Sequence, residues 1–178
     1  MKNKKYILLL VMSLLLISFT HAKSQEVKLS YQQFKVNGQS LNVVNYTING
    51  QAYYRIRDIA GLLKNTSKRF NIEYDKEKNE VIINKDKNYI NENKFVIYED
   101  SDVAIKSKSK LRYENNMIEL ESYNIKGYNY YRIEDIAELL KFIMEYEISP
   151  KSIVINTNEK YSSKSGSVFY MNHFFFVT

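Results

Sequence analysis

An internal repeat constrains this chain more than any other feature. Residues 46–63 (YTINGQAYYRIRDIAGLL) align without a gap on residues 123–140 (YNIKGYNYYRIEDIAELL) at an offset of 77, with twelve of eighteen positions identical. Chance does not produce such a match, so the fold has to be built from two copies of one unit. The offset continues upstream, where Phe34, Val36, Leu41 and Val43 match Leu111, Tyr113, Ile118 and Leu120. Downstream, the first copy carries five extra residues, Asn65 to Arg69, before Phe70 realigns with Phe142. An insertion tolerated there marks a loop.

Local chemistry gives each copy the same expected elements. Asn37-Gly38 and Asn49-Gly50 separate runs of alternating apolar and polar residues, and Asn-Gly supplies the positive φ angles of a two-residue hairpin turn. The corresponding turns of the second copy are placed at Asn115-Asn116 and Lys126-Gly127. The period then changes from two to about 3.6. Ile56, Ile59, Ala60, Leu62 and Leu63 share one helix face, as do Ile133, Ile136, Ala137, Leu139 and Leu140. Two closing strands follow in each copy, at Asn71 to Tyr74 and Val81 to Ile83, and at Ile143 to Glu147 and Ile153 to Ile155. The expected fold is therefore α+β: two tandem repeats, each a short amphipathic helix packed on a small antiparallel sheet. The expected boundaries are module 1 at residues 28–88, a partly stranded connector at 89–107 and module 2 at 108–161. A Ser-rich spacer and aromatic tail occupy 162–178. The tail reads as a docked strand, a disordered extension, a sticky peptide or an out-of-frame end. At roughly 55 to 60 residues each module is of marginal stability, and packing between copies would help.

Residues 1–22 read as a cleavable secretory signal. Lys2, Lys4 and Lys5 precede an apolar run from Tyr6 to Phe19, and Thr20-His21-Ala22 places small residues at the −3 and −1 positions. The apolar run is shorter than the ~20 residues a spanning helix needs, so no transmembrane segment is expected after cleavage. Cleavage removes three lysines and no acids, which lowers the net charge from +6 to +3. Charges of both signs are interspersed through the rest, with no basic stripe interleaved with aromatics, which argues against nucleic acid as a partner. The absence of cysteine excludes disulfides, thiolate nucleophiles and thiolate metal sites.

The strings around the two helices resemble the "YNINGNNYFKLRDIA" signature of the stalk-domain family, named for its similarity to the N-terminal domain of copper amine oxidases. The resemblance covers roughly residues 30–161. Ile72-Glu73-Tyr74-Asp75 and Val81-Ile82-Ile83 stand where that family has "V-x-W-D" and "T-I-x-I". The chain departs from the pattern at Glu134, which replaces the arginine found as Arg57, at Tyr74 and Tyr146, which replace tryptophan, and at Glu147, where Asp75 would be repeated. The resemblance implies a two-layer module of secreted clostridial and related Gram-positive proteins, often beside wall-directed or catalytic domains, with no activity of its own.

Histidine supply limits the chemistry. After signal removal His173, in the tail, alone remains, so a three-imidazole copper site cannot be assembled within one chain, and Ser-His-Asp, Cys-His and zinc-hydrolase arrangements lack the histidine or cysteine on a rigid scaffold that each needs. No cofactor, no metal and no catalytic residue are expected. Asp58 and Asp135 occupy matched positions of separate modules and read as helix N-terminal carboxylates, bonded to backbone or to Arg55 and Arg132, rather than as an acid/base pair. Glu99-Asp100-Ser101-Asp102 lacks the spacing of a calcium loop and reads as a solvated turn.

The sixteen tyrosines are the feature left over. Neighbouring strand residues face opposite ways, so Tyr54 and Tyr131 are expected toward the helix. Tyr53 and Tyr130, joined by Tyr128, are expected to form an outward row suited to stacking on a sugar or a protein partner. The expected function is a non-catalytic, secreted binding or spacer module for the cell wall, a polysaccharide or a surface protein partner. The alternatives are a carboxylate-dependent hydrolase of wall polymers and an accessory or inhibitor subunit of a secreted enzyme.

Overall fold

The computed structural model describes residues 26–90, 98–101, 103–149 and 151–158, together with the backbone of 168–170. The signal at 1–22, the Phe95-Val96-Ile97 stretch of the connector and most of the tail lie outside these residues.

The local expectations are largely met. The first copy forms β1 (Val27–Val36), β2 (Gln39–Ile48), β3 (Gln51–Arg55), helix α1 (Ile56–Leu63), β4 (Phe70–Asp75) and β5 (Glu80–Lys85). The second follows as β6 (Ile105–Lys106), β7 (Lys110–Tyr113), β8 (Asn116–Ile118), β9 (Ser122–Ile125), β10 (Tyr128–Tyr131), α2 (Ile133–Leu140), β11 (Ile143–Ile148) and β12 (Lys151–Asn156). A last short strand, β13 (Val168–Tyr170), runs parallel to β11, which is the docked-strand reading of the tail at those three residues. The four two-residue turns, after β1, β2, β7 and β9, have positive φ at both central residues. One of them sits a residue earlier than expected: the turn is Glu114-Asn115, with φ 46° and 66°, rather than Asn115-Asn116. The offset of 77 aligns it with Asn37-Gly38, so the hairpin register outweighs the preference for Asn at the first position.

The tertiary arrangement overturns the expected fold class. The described chain is mostly β, with two eight-residue helices and two sheets, rather than a tandem pair of helix-on-small-sheet units. One sheet has nine strands in the order β13-β11-β12-β1-β2-β3-β10-β9-β6, and the other four, in the order β4-β5-β7-β8. Each sheet mixes strands of both copies. β1 of the first copy pairs in parallel with β12 of the second, Phe34 opposite Ile153 and Val36 opposite Ile155. β7 of the second copy pairs in the same way with β5 of the first, Leu111 opposite Val81 and Tyr113 opposite Ile83. These registers are equivalent under the repeat, so the copies exchange their closing hairpins.

The central hairpins meet edge to edge. β3 and β10 are antiparallel, with Tyr54 opposite Tyr131. Because these are the same position of the repeat, an internal pseudo-twofold axis passes between them. The repeat also reaches further back than residue 108. Ile105 pairs with Asn124 and Lys106 with Tyr123, as Lys28 pairs with Thr47 and Leu29 with Tyr46. Thus β6 and β7 are a broken β1, and β8 and β9 a broken β2. Part of the connector belongs to the second module.

The physical reason for the exchange lies in size and edges. A copy of this length buries a low fraction of its surface and leaves strand edges unpaired. Sharing strands pairs those edges and merges two small cores. One buried cluster joins Phe34, Tyr54, Leu63 and Phe70 of the first copy to Tyr131, Ile136, Phe142 and Ile155 of the second. α1 packs on β3, β4 and β10, and α2 on β3 and β11, so both helices seal this shared core. Three ion pairs among the described residues tie the copies together: Lys35 to Glu147 at 2.5 Å, Arg112 to Glu80 at 2.7 Å and the more exposed Lys85 to Glu114 at 3.2 Å.

Candidate functional site

Tyr54 and Tyr131 face the shared core, each 1% exposed, as period two requires. Tyr53 and Tyr130 do face the other way, yet they are not exposed. Each is 2% exposed, which corrects the expected outward row. The opposite face of the central strands carries its own small core of Tyr46, Ile48, Tyr53, Ala104, Ile125 and Tyr130. Tyr46 packs edge-to-face on Tyr130 at 5.2 Å, and the symmetry-related Tyr123 on Tyr53 at 5.0 Å. From the connector, Ala104 joins this core, Tyr98 packs against it, and the carbonyl of Glu99 accepts a 2.6 Å hydrogen bond from the Tyr46 hydroxyl. Burial pushes the Tyr53 hydroxyl up to about 12 and raises that of Tyr130 too. Of the three tyrosines singled out as ligand contacts, Tyr128 alone is half-buried rather than core.

The helix-entry carboxylates bond to arginine side chains. Asp58 receives Arg55 Nε at 3.1 Å and Nη2 at 2.5 Å, and Asp135 receives Arg132 Nε at 2.9 Å and Nη2 at 2.7 Å. The geometry is bidentate in both. They differ in what covers them. The Arg55 guanidinium lies between the rings of Tyr98 and Tyr128, at 5.4 and 5.3 Å, within cation–π range. The Tyr98 hydroxyl donates to Asp58. Burial and the Asp58 carboxylate hold that hydroxyl far above its ordinary value.

Beside the Arg55 corner lies a cleft of about 460 Å³, formed where α1 and the β4–β5 hairpin of the first copy approach the β9–β10 turn of the second. Ile56, Ile72 and Val81 supply apolar surface, and Tyr74, Tyr89 and Tyr128 supply rings. Tyr74 is 46% exposed, and Tyr89 approaches α1 at Gly61, 3.7 Å from where a Cβ would stand. Polar groups come from Ser109, Asn124 and Asn129.

The charges around the cleft are unequally paired. Arg55 is held by Asp58, and Lys126 by Glu99 at 2.5 Å. Glu73, on the exposed side, accepts from Asn84 Nδ2 at 2.7 Å. Half-buried Arg57 has no hydrogen-bond or ion-pair partner among the described residues. In the second copy its place is taken by Glu134, which accepts a hydrogen bond from the Tyr146 hydroxyl. Arg57 was visible in the sequence only as the residue Glu134 replaces.

Among the described residues no group of three or more His, Cys, Asp or Glu side chains could hold a metal ion, and no helix is long and apolar enough to cross a membrane. Comparison with family models, with curated proteins and with solved structures gives no match.

Proposed function

We propose that this chain is an exported, non-catalytic binding module that attaches to a cell-wall polymer, a polysaccharide or a surface protein partner, and that the cleft between α1 and the β9–β10 turn makes the contact. The signal-like N-terminus and the resemblance to stalk-domain modules support the exported, wall-directed part of this reading. The observation that carries the binding part is the cleft itself: three tyrosine rings beside three short polar side chains, opening at the seam between the copies. Rings with an apolar face and a polar rim stack on sugars and anchor interfaces. Against a hydrolase weighs the state of its carboxylates. Asp58 and Asp135 are both engaged bidentately by arginine and belong to opposite halves of the pseudo-twofold. An acid/base pair needs two carboxyl groups flanking one bond.

Retention on purified wall sacculi tests the reading. The Tyr74→Ser, Tyr128→Ser double variant is expected to lose about tenfold in affinity, the upper end of what aromatic contacts contribute. Undiminished retention by a folded double variant removes the cleft from consideration, and absence of retention by the unaltered protein removes the wall.

A further inference from the structure

We infer that the cleft takes a saccharide unit bearing a single carboxylate, with Arg57 as the residue that receives the charge. The inference rests on the binding-module reading above and specifies its ligand.

Arg57 is set apart by its lack of a partner. It is half-buried in the first turn of α1, lines the cleft, and is left unpaired while both other cations of the cleft wall are neutralised. A guanidinium held partly out of water without a counter-ion is a poor arrangement for stability and a good one for receiving a carboxylate bidentately. The second copy shows the alternative. There Glu134 stands at the position of Arg57 and bonds to Tyr146, the counterpart of Tyr74, so the equivalent groups satisfy each other. In the first copy Tyr74 donates instead to Asn79 Oδ1 at 2.7 Å, away from the arginine.

Asn129 supplies the second recognition element. Its Oδ1 accepts from Asn124 Nδ2 at 3.2 Å and from Ser107 Oγ at 3.0 Å. Those two bonds fix the amide orientation, and its Nδ2 has no acceptor among the described residues. A donor amide, a free guanidinium and flanking rings match a ring-shaped ligand with hydroxyl acceptors and one anionic group.

Charge count selects the number of anionic groups. Arg55 with Asp58 and Lys126 with Glu99 cancel, and the lining also holds one carboxylate, Glu73, bonded to Asn84 rather than to Arg57, so the formal charges sum to zero and the cleft carries no surplus positive field. A polyphosphate chain needs such a surplus, whereas one carboxylate among neutral hydroxyls needs only the local guanidinium.

Calorimetric titration of the full secreted chain with oligogalacturonide, oligoglucuronide, the fully methyl-esterified oligogalacturonide and a polyglycerol phosphate tests this. At least one acidic oligosaccharide is expected to bind. Its methyl ester, the same sugar without the charge, is expected to bind about tenfold more weakly, the loss of one charge-assisted contact. Arg57→Gln should lose the same factor for the acid and nothing for the ester, Arg57→Lys should recover part of it, and Glu134→Gln in the second copy should change neither. Equal binding of acid and ester overturns the carboxylate inference and leaves a neutral-sugar module standing. Preference for the polyglycerol phosphate overturns it in favour of a phosphate polymer. Binding to sacculi with no binding to any acidic oligosaccharide overturns the inference alone, and loss of both overturns the inference and removes the wall from the binding-module reading with it. Should Arg57→Gln fail to fold, the acid-against-ester comparison on the unaltered protein decides the question.

Discussion

In the first copy the Arg55 and Asp58 side chains are 12% and 19% exposed beneath Tyr98 and Tyr128, while in the second Arg132 is 34% exposed and Asp135 14%. The residues and the bidentate geometry are the same. The position of Tyr128 is Gln51 in the first copy, so Arg132 has no second ring to match it, and Tyr98 belongs to the connector, which occurs once. A repeated motif therefore carries repeated structure, but its chemical character comes from residues that are not repeated. The same holds one residue further on, where Arg57 opens onto a cleft and Glu134 closes onto Tyr146.

Alkaline titration is the broadest way to test the symmetry. Burial raises Tyr53, Tyr54, Tyr98, Tyr130 and Tyr131 above the ordinary tyrosine value of 10.0, with Tyr53 and Tyr131 at about 12. The native state thus keeps protons that the unfolded chain releases. Their stabilising contribution is complete below pH 10.0 and is lost as pH rises through the folded-state values. Cooperative unfolding is expected above pH 10.0, with tyrosinate absorbance and circular dichroism changing together. Exposed rings such as Tyr31 and Tyr74 contribute an early part of the absorbance change. The full tyrosinate absorbance of all the rings developing near pH 10.0 with no loss of ellipticity would show that the five are solvent-exposed.

Next in size is truncation of the two rings on the outer face. Tyr53→Ala and Tyr130→Ala are each expected to cost about 3–5 kcal/mol in denaturant unfolding, the range of large aromatic core truncations. A cost near zero for either would restore the outward row. Asp58→Asn should then cost about 2 kcal/mol and Asp135→Asn under about 1 kcal/mol, because the amide removes the charge and one of the two acceptor oxygens that the better-buried Arg55 and the Tyr98 hydroxyl share. Equal costs would mean that the connector adds nothing to the first corner.

The smallest effect concerns the residues on the pseudo-axis. The Tyr54 hydroxyl accepts a long 3.5 Å bond from Asn45 Nδ2, whereas Ser122 stands at the position of Asn45, and its shorter side chain interacts with the buried Tyr131 hydroxyl without completing a hydrogen bond of normal geometry among the described residues. Ser122→Asn is expected to stabilise the protein by about 1 kcal/mol, the net worth of one hydrogen bond. A destabilised variant would show that the second half has repacked around the smaller residue.

Local structure was legible because its causes are local. Asn-Gly turns, the switch from period two to period 3.6 and the burial of Tyr54 and Tyr131 follow from backbone sterics and side-chain direction. The turn at Glu114-Asn115 lies one residue before the Asn115-Asn116 pair that composition favours, because strand register places it, and the offset of 77 carries that register.

The sequence by itself determined that there are two copies, which hairpins and helix each contains, and which face of each strand turns toward the helix. Tertiary structure alone decided the rest. Side-chain alternation specifies the face that a strand buries and says nothing about the backbone edge that it pairs with, so the exchange of β12 for β5 beside β1 left no mark on the pattern. Nor does alternation say whether the second face is covered, and here the returning chain and a ring of tyrosines cover it. The cleft depends on both outcomes: its walls come from opposite copies, and its unpaired Arg57 is defined by the partners that the folded chain brings to every other charge nearby.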